Sequence, residues 1–133
     1  MSGMEPDLEP DLDEFLLARI AEDKRIAVDA AQASGHDVWS AAELAEGLPA
    51  PKAADHAARH DPARVLAECA AKRRTVLACR EAAPDLHFLG TRPRAMPDFP
   101  LSPHGQHQLA ALTLALLALP YADHHDYRPE WRP

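Results

Sequence analysis

Prolines divide this chain into segments that can form long helices and segments that cannot. Asp61 and Ser102 each precede a proline, and a capping residue followed by proline at the first helical position is a preferred helix start. Pro120 ends the last of these segments, because proline removes a backbone donor and clashes with the preceding turn. The pattern predicts helices over 62–82 and 103–119, with an irregular proline-rich segment between them.

An apolar stripe at helical spacing predicts another helix, the first in the chain, over 11–34. Asp11 is its expected N-cap, and Gly35 is its expected end, because glycine readily adopts the left-handed geometry of a helix C-terminus. The segment 36–52 is expected to be a connector, and a short helix is expected over 53–60, which Pro62 interrupts. Aromatic residues make up only 5% of the chain, which favours helices over a β-sandwich. The predicted fold is all-α, a small three-helix bundle with a short pre-helix.

The two ends of the chain differ in composition from its helical middle. Residues 1–10 are acidic and contain two prolines, so they are predicted to form a disordered arm that precedes a single helical domain over 11–133. The tail Tyr121–Pro133 mixes aromatic, histidine and charged residues. We expect the tail to fold across the domain's own helices, with contact to a partner as the alternative.

Leu109, Leu112, Leu116 and Leu119 repeat at 3-4-3 spacing along the last predicted helix. A helix that is apolar on all sides is buried either in the core or at a subunit interface, so a homodimer through Leu109–Leu119 is a candidate. This apolar run is much shorter than the roughly 20 residues that cross a bilayer. No basic and then apolar segment opens the chain as in a signal peptide, so a cytoplasmic protein is expected.

The net charge of −7 argues against general nucleic-acid binding, which needs a basic surface. Lys72, Arg73 and Arg74, together with Arg64 and Arg80, form a local basic patch. This patch is a candidate docking point for phosphate or an acidic partner. A solvated helix face is the alternative interpretation. Aromatic residues of the tail are of a type enriched at protein interfaces. The predicted partner-binding residues are Lys72, Arg73, Arg74, Tyr121, Tyr127 and Trp131.

Histidines near carboxylates are the strongest candidates for a metal-binding site. His56 and His60 are four residues apart on a predicted helix, so both imidazoles share a face on which they can meet one metal ion. His124, in the tail cluster Asp123–Asp126, is a candidate third ligand if the tail folds back. The alternative is that these histidines only pack or face solvent, and no glutamate separates the pair as in zinc proteases. We predict no cofactor, with zinc as the one alternative.

No sequence motif assigns a catalytic residue. The chain lacks the Gly-x-Ser-x-Gly elbow, the phosphate-binding glycine loop and the dinucleotide fingerprint. Cys69 and Cys79 are ten residues apart on one predicted helix, which places them too far apart for a disulfide. We expect both cysteines to be small packing residues.

Two motifs carry a resemblance. HAARHDPARVL over 56–66, followed by Lys72-Arg73-Arg74, and LALPYADHHDYRPEWRP over 117–133 resemble the central block and the C-terminus of a family of small uncharacterised actinobacterial and actinophage proteins. The first predicted helix, from Leu12 to Ile20, fits the same pattern. The resemblance covers roughly half the chain and implies a shared fold but no activity, because the family is a domain of unknown function.

The sequence therefore favours a small non-enzymatic accessory or regulatory protein, of phage-related origin, that acts through protein contacts. A metal-dependent protein centred on His56, His60 and Asp123–Asp126 is the alternative class. A nucleic-acid-associated protein that uses the basic patch is a weaker third.

Overall fold

The structure is a computed structural model that describes residues 11–47, 51–91 and 94–133. Its described residues form helices and no β-strand, so the predicted all-α class is confirmed. The α-helices are α1 (Leu12–Ser34), α2 (Ala41–Ala45), α3 (Pro51–Arg59), α4 (Pro62–Glu81) and α5 (Pro103–Ala118). Short 3₁₀ helices span Leu86–Gly90, Leu119–Tyr121 and Pro129–Trp131. The acidic arm predicted over 1–10 lies outside the described residues.

Capping residues set the boundaries of the long helices. Helices α4 and α5 both begin at a proline, as predicted. Asp61 Oδ1 accepts a hydrogen bond from the backbone N–H of Arg64 at 2.9 Å, and Ser102 Oγ accepts one from the N–H of Gly105 at 3.1 Å. Helix α1 ends just before Gly35, whose φ of 79° lies in the left-handed region that glycine adopts without strain.

The segment predicted as a connector, 36–52, contains more helix than expected. It includes the five-residue α2, and α3 begins at Pro51 rather than at Ala53. The predicted connector includes Pro51. A proline at the first helical position loses no hydrogen bond, because that N–H has no partner within the helix, so the helix extends to include it.

The described chain separates into two compact units. The first comprises the residues up to Arg19 together with those from Arg74 to Pro133, and the second is Ile20–Arg73. The larger buried side chains of the first unit are Leu12, Phe15, Leu16, Val76, Phe88, Leu89, Leu112, Leu114 and Trp131. Those of the second include Ile20, Ala27, Ala54 and Cys69. None of the described helices has the length and apolar character that crossing a bilayer requires.

Candidate functional site

Helix α5 is apolar around most of its circumference. Its inner side is buried and consists of Ala110, Ala111, Leu112, Leu114, Ala115 and Ala118, and Gly105 near its start is buried as well. Leu109 and Leu116 within the helix, and Leu119 just beyond it, are 37%, 52% and 36% exposed. At about 100° of rotation per residue these three side chains lie within one sector of the helix, next to the buried Leu112 at the edge of the inner side. The 3-4-3 repeat is therefore mostly an outer surface, and of its four members only Leu112 is buried.

Leu101 extends this outer surface beyond the N-terminal end of α5. A Cβ atom built on Gly105 would lie 3.0 Å from Leu101 Cδ2, so the leucine lies directly over the helix where glycine leaves room. Gly105 precedes Leu109 by four residues and thus shares its side of the helix. We call Leu101, Leu109, Leu116 and Leu119 the leucine face. The sequence of α5 contains no aspartate, glutamate, lysine or arginine.

The C-terminal tail packs against the first two turns of α1, which belong to the same unit. The ring of Phe15 lies 6.5 Å from that of Tyr121, 5.6 Å from His124, 6.0 Å from Tyr127 and 5.1 Å from Trp131, between ring centroids. Trp131 is buried, and the two tyrosines are half-buried. Burial also raises the pKa of the Tyr127 phenol. In this arrangement the tail aromatics predicted to bind a partner contact their own chain.

Arg19 links α1 to His124 of the tail. Its guanidinium lies 5.6 Å from the centroid of the Phe15 ring and hydrogen-bonds to His124 Nε2. The backbone N–H of Asp126 donates to His124 Nδ1 at 3.1 Å. Both ring nitrogens of the predicted third metal ligand thus have an N–H group beside them, although a neutral imidazole accepts at only one nitrogen at a time. Possible ligand atoms of His124, His125 and Asp126 lie within 4.8 Å of one another, but these are consecutive residues, two of them exposed.

The other two predicted ligands, His56 and His60, lie together on the second unit. Their ring centroids are 4.5 Å apart with an interplanar angle of 30°, and both side chains are exposed. His60 Nδ1 is 2.9 Å from the backbone carbonyl oxygen of His56. The spacing of four residues therefore places the two imidazoles side by side, as the sequence predicted. His124 belongs to the first unit.

Two of the five basic residues of the predicted patch are paired with carboxylates. Arg64 Nε lies 2.9 Å from Glu68 Oε1, and Arg80 Nε lies 2.8 Å from Asp13 Oδ2. These contacts reduce the local positive potential that a phosphate would meet. The remaining members are Arg73 and Arg74, which are exposed, and Lys72, which is half-buried.

A groove of about 340 Å³ opens on the second unit. Ala27, Val65 and Trp39 contribute apolar surface to it, and His60 and Lys72 are among its polar residues. Both the side chain and the backbone of Trp39 donate hydrogen bonds. Its indole N–H donates to the carbonyl oxygen of His36 at 3.0 Å, and its backbone N–H donates to Asp61 Oδ2 at 3.1 Å.

Replacing Asp61 with alanine is expected to lower the melting temperature by roughly 5 °C at neutral pH. The buried carboxylate accepts hydrogen bonds from the backbone N–H groups of Arg64 and Trp39. Alanine has no side-chain acceptor, so both N–H groups lose this hydrogen bond. These two hydrogen bonds hold the pKa of Asp61 below its usual value of 3.8. The stabilisation is therefore complete above pH 3.8 and is lost as the pH falls through the lower pKa of the folded state.

Circular dichroism melting curves at neutral and at strongly acidic pH test this prediction. The gap between the wild type and Asp61→Ala should close in acid. The exposed Asp29→Ala should match the wild type at both pH values. A gap that stays constant with pH would show that the carboxylate charge is not what Asp61 contributes.

Neither cysteine is an activated nucleophile. Both Cys69 and Cys79 are free thiols. Burial raises the pKa of each, so both remain protonated at neutral pH. This environment suits packing residues and disfavours thiolate chemistry.

The sequence reasoning missed two residues of these surfaces, Arg19 and Leu101. Arg19 follows Phe15 by four residues on one helix, a spacing that could have indicated their contact. Leu101 precedes Gly105 by four residues, but it lies before the helix cap in a proline-rich segment, where helical spacing is no guide. The conformation of the segment 94–102 could therefore not be predicted from the sequence and is known only from the structure.

The comparisons with known proteins give a family without an activity. The model of DUF6221, a family of unknown function, matches residues 9–133. No curated protein and no solved structure matches the chain.

Proposed function

We propose that this chain, which belongs to the DUF6221 family of unknown function, is a non-catalytic accessory protein that acts through protein contacts, and that the leucine face is its contact surface. The single observation that carries this proposal is the exposure of Leu109, Leu116 and Leu119 on one side of α5. The motif resemblance adds an actinobacterial or actinophage source to the proposal. A regulatory role in the cytoplasm is also part of the proposal, but it does not come from the resemblance.

Exposed leucines in a row are unfavourable in water, and their burial by a partner supplies free energy for binding. Removing apolar surface from water contributes about 25 cal/mol per Å², so the exposed parts of four leucines are worth on the order of a few kcal/mol. Scattered apolar residues need no explanation, but a contiguous exposed patch marks a site of interaction. The leucine face runs from Leu101 to Leu119 and is such a patch.

The proposed occupant of the leucine face is a second copy of this chain. The exposed Leu109 and Leu116 are seven residues apart, which is the interval at which an apolar seam recurs in paired helices. A surface of this kind is complementary to itself about a two-fold axis. The absence of charged residues from α5 matters because two copies each carry a net charge of −7. They can meet along α5 without bringing like charges of that helix together.

Light scattering coupled to size exclusion, over a range of protein concentrations, tests the proposal. The wild type is expected to approach the mass of two 14.6 kDa chains as its concentration rises. Leu116→Asp should remain at the mass of one chain, because association would bury an unpaired carboxylate. The helical circular dichroism of this variant should be unchanged, since Leu116 contributes little to the core of the chain.

Val38→Asp is the matched control, because Val38 is 67% exposed and belongs to the other unit. It should associate like the wild type. A wild type that stays at the mass of one chain at every concentration would overturn self-association. Equal masses for the wild type and Leu116→Asp would exclude the leucine face as the surface.

A further inference from the structure

The pair formed by His56 on α3 and His60 just beyond its end has no role in the protein contacts of the leucine face. His56 and His60 are exposed, and their rings are nearly parallel with centroids 4.5 Å apart. The backbone N–H of His60 lies 3.2 Å from the carbonyl oxygen of His56, so the helical turn between them is closed. Imidazoles one helical turn apart can direct one nitrogen each at the same ion.

A backbone contact fixes which nitrogen of His60 is available to a ligand. A carbonyl oxygen only accepts, so the contact of 2.9 Å between His60 Nδ1 and the His56 oxygen requires a proton on Nδ1. The lone pair of the neutral ring is then on Nε2. Histidines that bind metals commonly have this arrangement, in which one ring N–H is held by a carbonyl and the other nitrogen coordinates.

Charged side chains of both signs surround His60. Glu68 and Lys72 line the same groove as His60, and Arg64 Nε lies 2.9 Å from Glu68 Oε1. The hydrogen bond from Arg64 lowers the pKa of Glu68, so this carboxylate is negatively charged at neutral pH, but the two cations beside it offset that charge. The geometry of the two rings, rather than the local charge, is what suits a metal ion. The pair is also at the surface, where an ion from solvent can reach it without a conformational change.

Two other histidines are less suitable. His107 Nδ1 lies 2.8 Å from the carbonyl oxygens of both Ala82 and Ala83, which follow α4, so its Nε2 is available in the same way as that of His60. Within the part of the chain that the structure describes, however, no second histidine ring stacks beside His107, so it offers a single ligand. A metal at His124 must displace either the guanidinium of Arg19 or the N–H of Asp126. The pair of His56 and His60 requires no such displacement.

We propose that His56 and His60 together bind one divalent transition-metal ion of the zinc class, with water at the remaining coordination positions. Neutral imidazole is a ligand for zinc, copper and nickel, whereas magnesium prefers oxygen ligands. The site lies on the second unit and uses no residue of the leucine face. The metal site and self-association can therefore be tested independently of each other.

Isothermal titration of the full-length protein with Zn²⁺ at neutral pH, with Mg²⁺ as a comparison, tests the site. The wild type is expected to bind Zn²⁺ and not Mg²⁺. His56→Ala and His60→Ala should each weaken Zn²⁺ binding by at least about ten-fold, since loss of a ligand costs no less than loss of its supporting hydrogen bond. The double variant should be little weaker than either single variant, because one remaining imidazole cannot chelate.

Two control variants separate this site from the others. His124→Ala with His125→Ala removes the histidines of the tail, and the affinity should stay at the wild-type value. Leu116→Asp should also bind Zn²⁺ normally, so failure of self-association and failure of the metal site give different results. Unchanged affinity in His56→Ala and His60→Ala would overturn the proposal, as would a loss seen only in the tail variant.

A spectroscopic measurement provides a second readout. In ¹⁵N spectra of the imidazole rings, Zn²⁺ should shift the Nε2 signal of His60 and leave that of His107 in place. Acidification should abolish the effect, because a protonated ring has no lone pair for the metal. A Zn²⁺-induced shift confined to rings other than His56 and His60 would contradict the assignment.

Discussion

Replacing Phe15 with alanine is expected to lower the free energy of unfolding by about 3–5 kcal/mol. Phe15 is only 1% exposed, and its ring contacts those of Tyr121, Tyr127 and Trp131 in the tail. Alanine removes the buried ring and also its edge-to-face pairs, which add to the value of the buried area. The tail then loses the side chain on which it packs, so its aromatic surface becomes exposed to water.

Urea denaturation followed by circular dichroism measures the loss, and tryptophan fluorescence reports on the release of Trp131. Phe99→Ala is the matched control, because Phe99 is 67% exposed and the same substitution there removes almost no buried surface. It should remain within about 0.5 kcal/mol of the wild type. Equal losses in the two variants would mean that the tail does not depend on Phe15.

Helix boundaries could be predicted because the residues that set them act locally. Asp61 and Ser102 accept hydrogen bonds from N–H groups three residues further on, and Gly35 adopts a conformation that disfavours other residues. Each of these effects depends on a few neighbouring residues, which the sequence displays directly. The start of α3 at Pro51 follows the same rule and was missed only because the surrounding prolines resembled a connector.

Contacts between distant parts of the chain could not be predicted in the same way. Arg19 and His124 are 105 residues apart, and nothing in the local pattern of either one indicates the other. The aromatic tail could be expected to cover apolar surface. That it packs against Phe15 in particular depends on the tertiary fold. The pairing of Arg80 with Asp13 is of the same kind and weakens the basic patch that the sequence suggested.

The candidate site was predictable where it depends on helical spacing. His56 and His60 lie side by side because they are four residues apart, and the same rule places Leu109, Leu116 and Leu119 on one side of α5. The rule does not say which side of a helix faces the core when both sides are apolar. In α5 the core side is the alanine side, and most of the leucine repeat faces outward.

Replacing Ala111 with leucine is therefore expected to destabilise the protein by about 1–3 kcal/mol, although leucine is the more hydrophobic residue. Ala111 is 0% exposed, and it lies on the inner side of α5 together with Ala115 and Ala118. Small side chains there let the helix approach its neighbours closely, and a core packed to this density has no room for three more carbon atoms. The added volume must be accommodated by strained rotamers or by displacement of the helix.

Ala78→Leu is the control, because Ala78 is exposed on α4 within the same unit and the change in volume is identical. Its free energy of unfolding should stay within about 0.5 kcal/mol of the wild type. Both values come from urea denaturation of the full chain, at concentrations low enough that self-association does not contribute. If Ala111→Leu were as stable as the wild type, the inner side of α5 would not be the close-packed one, and the outward orientation of the leucine face would lose its support.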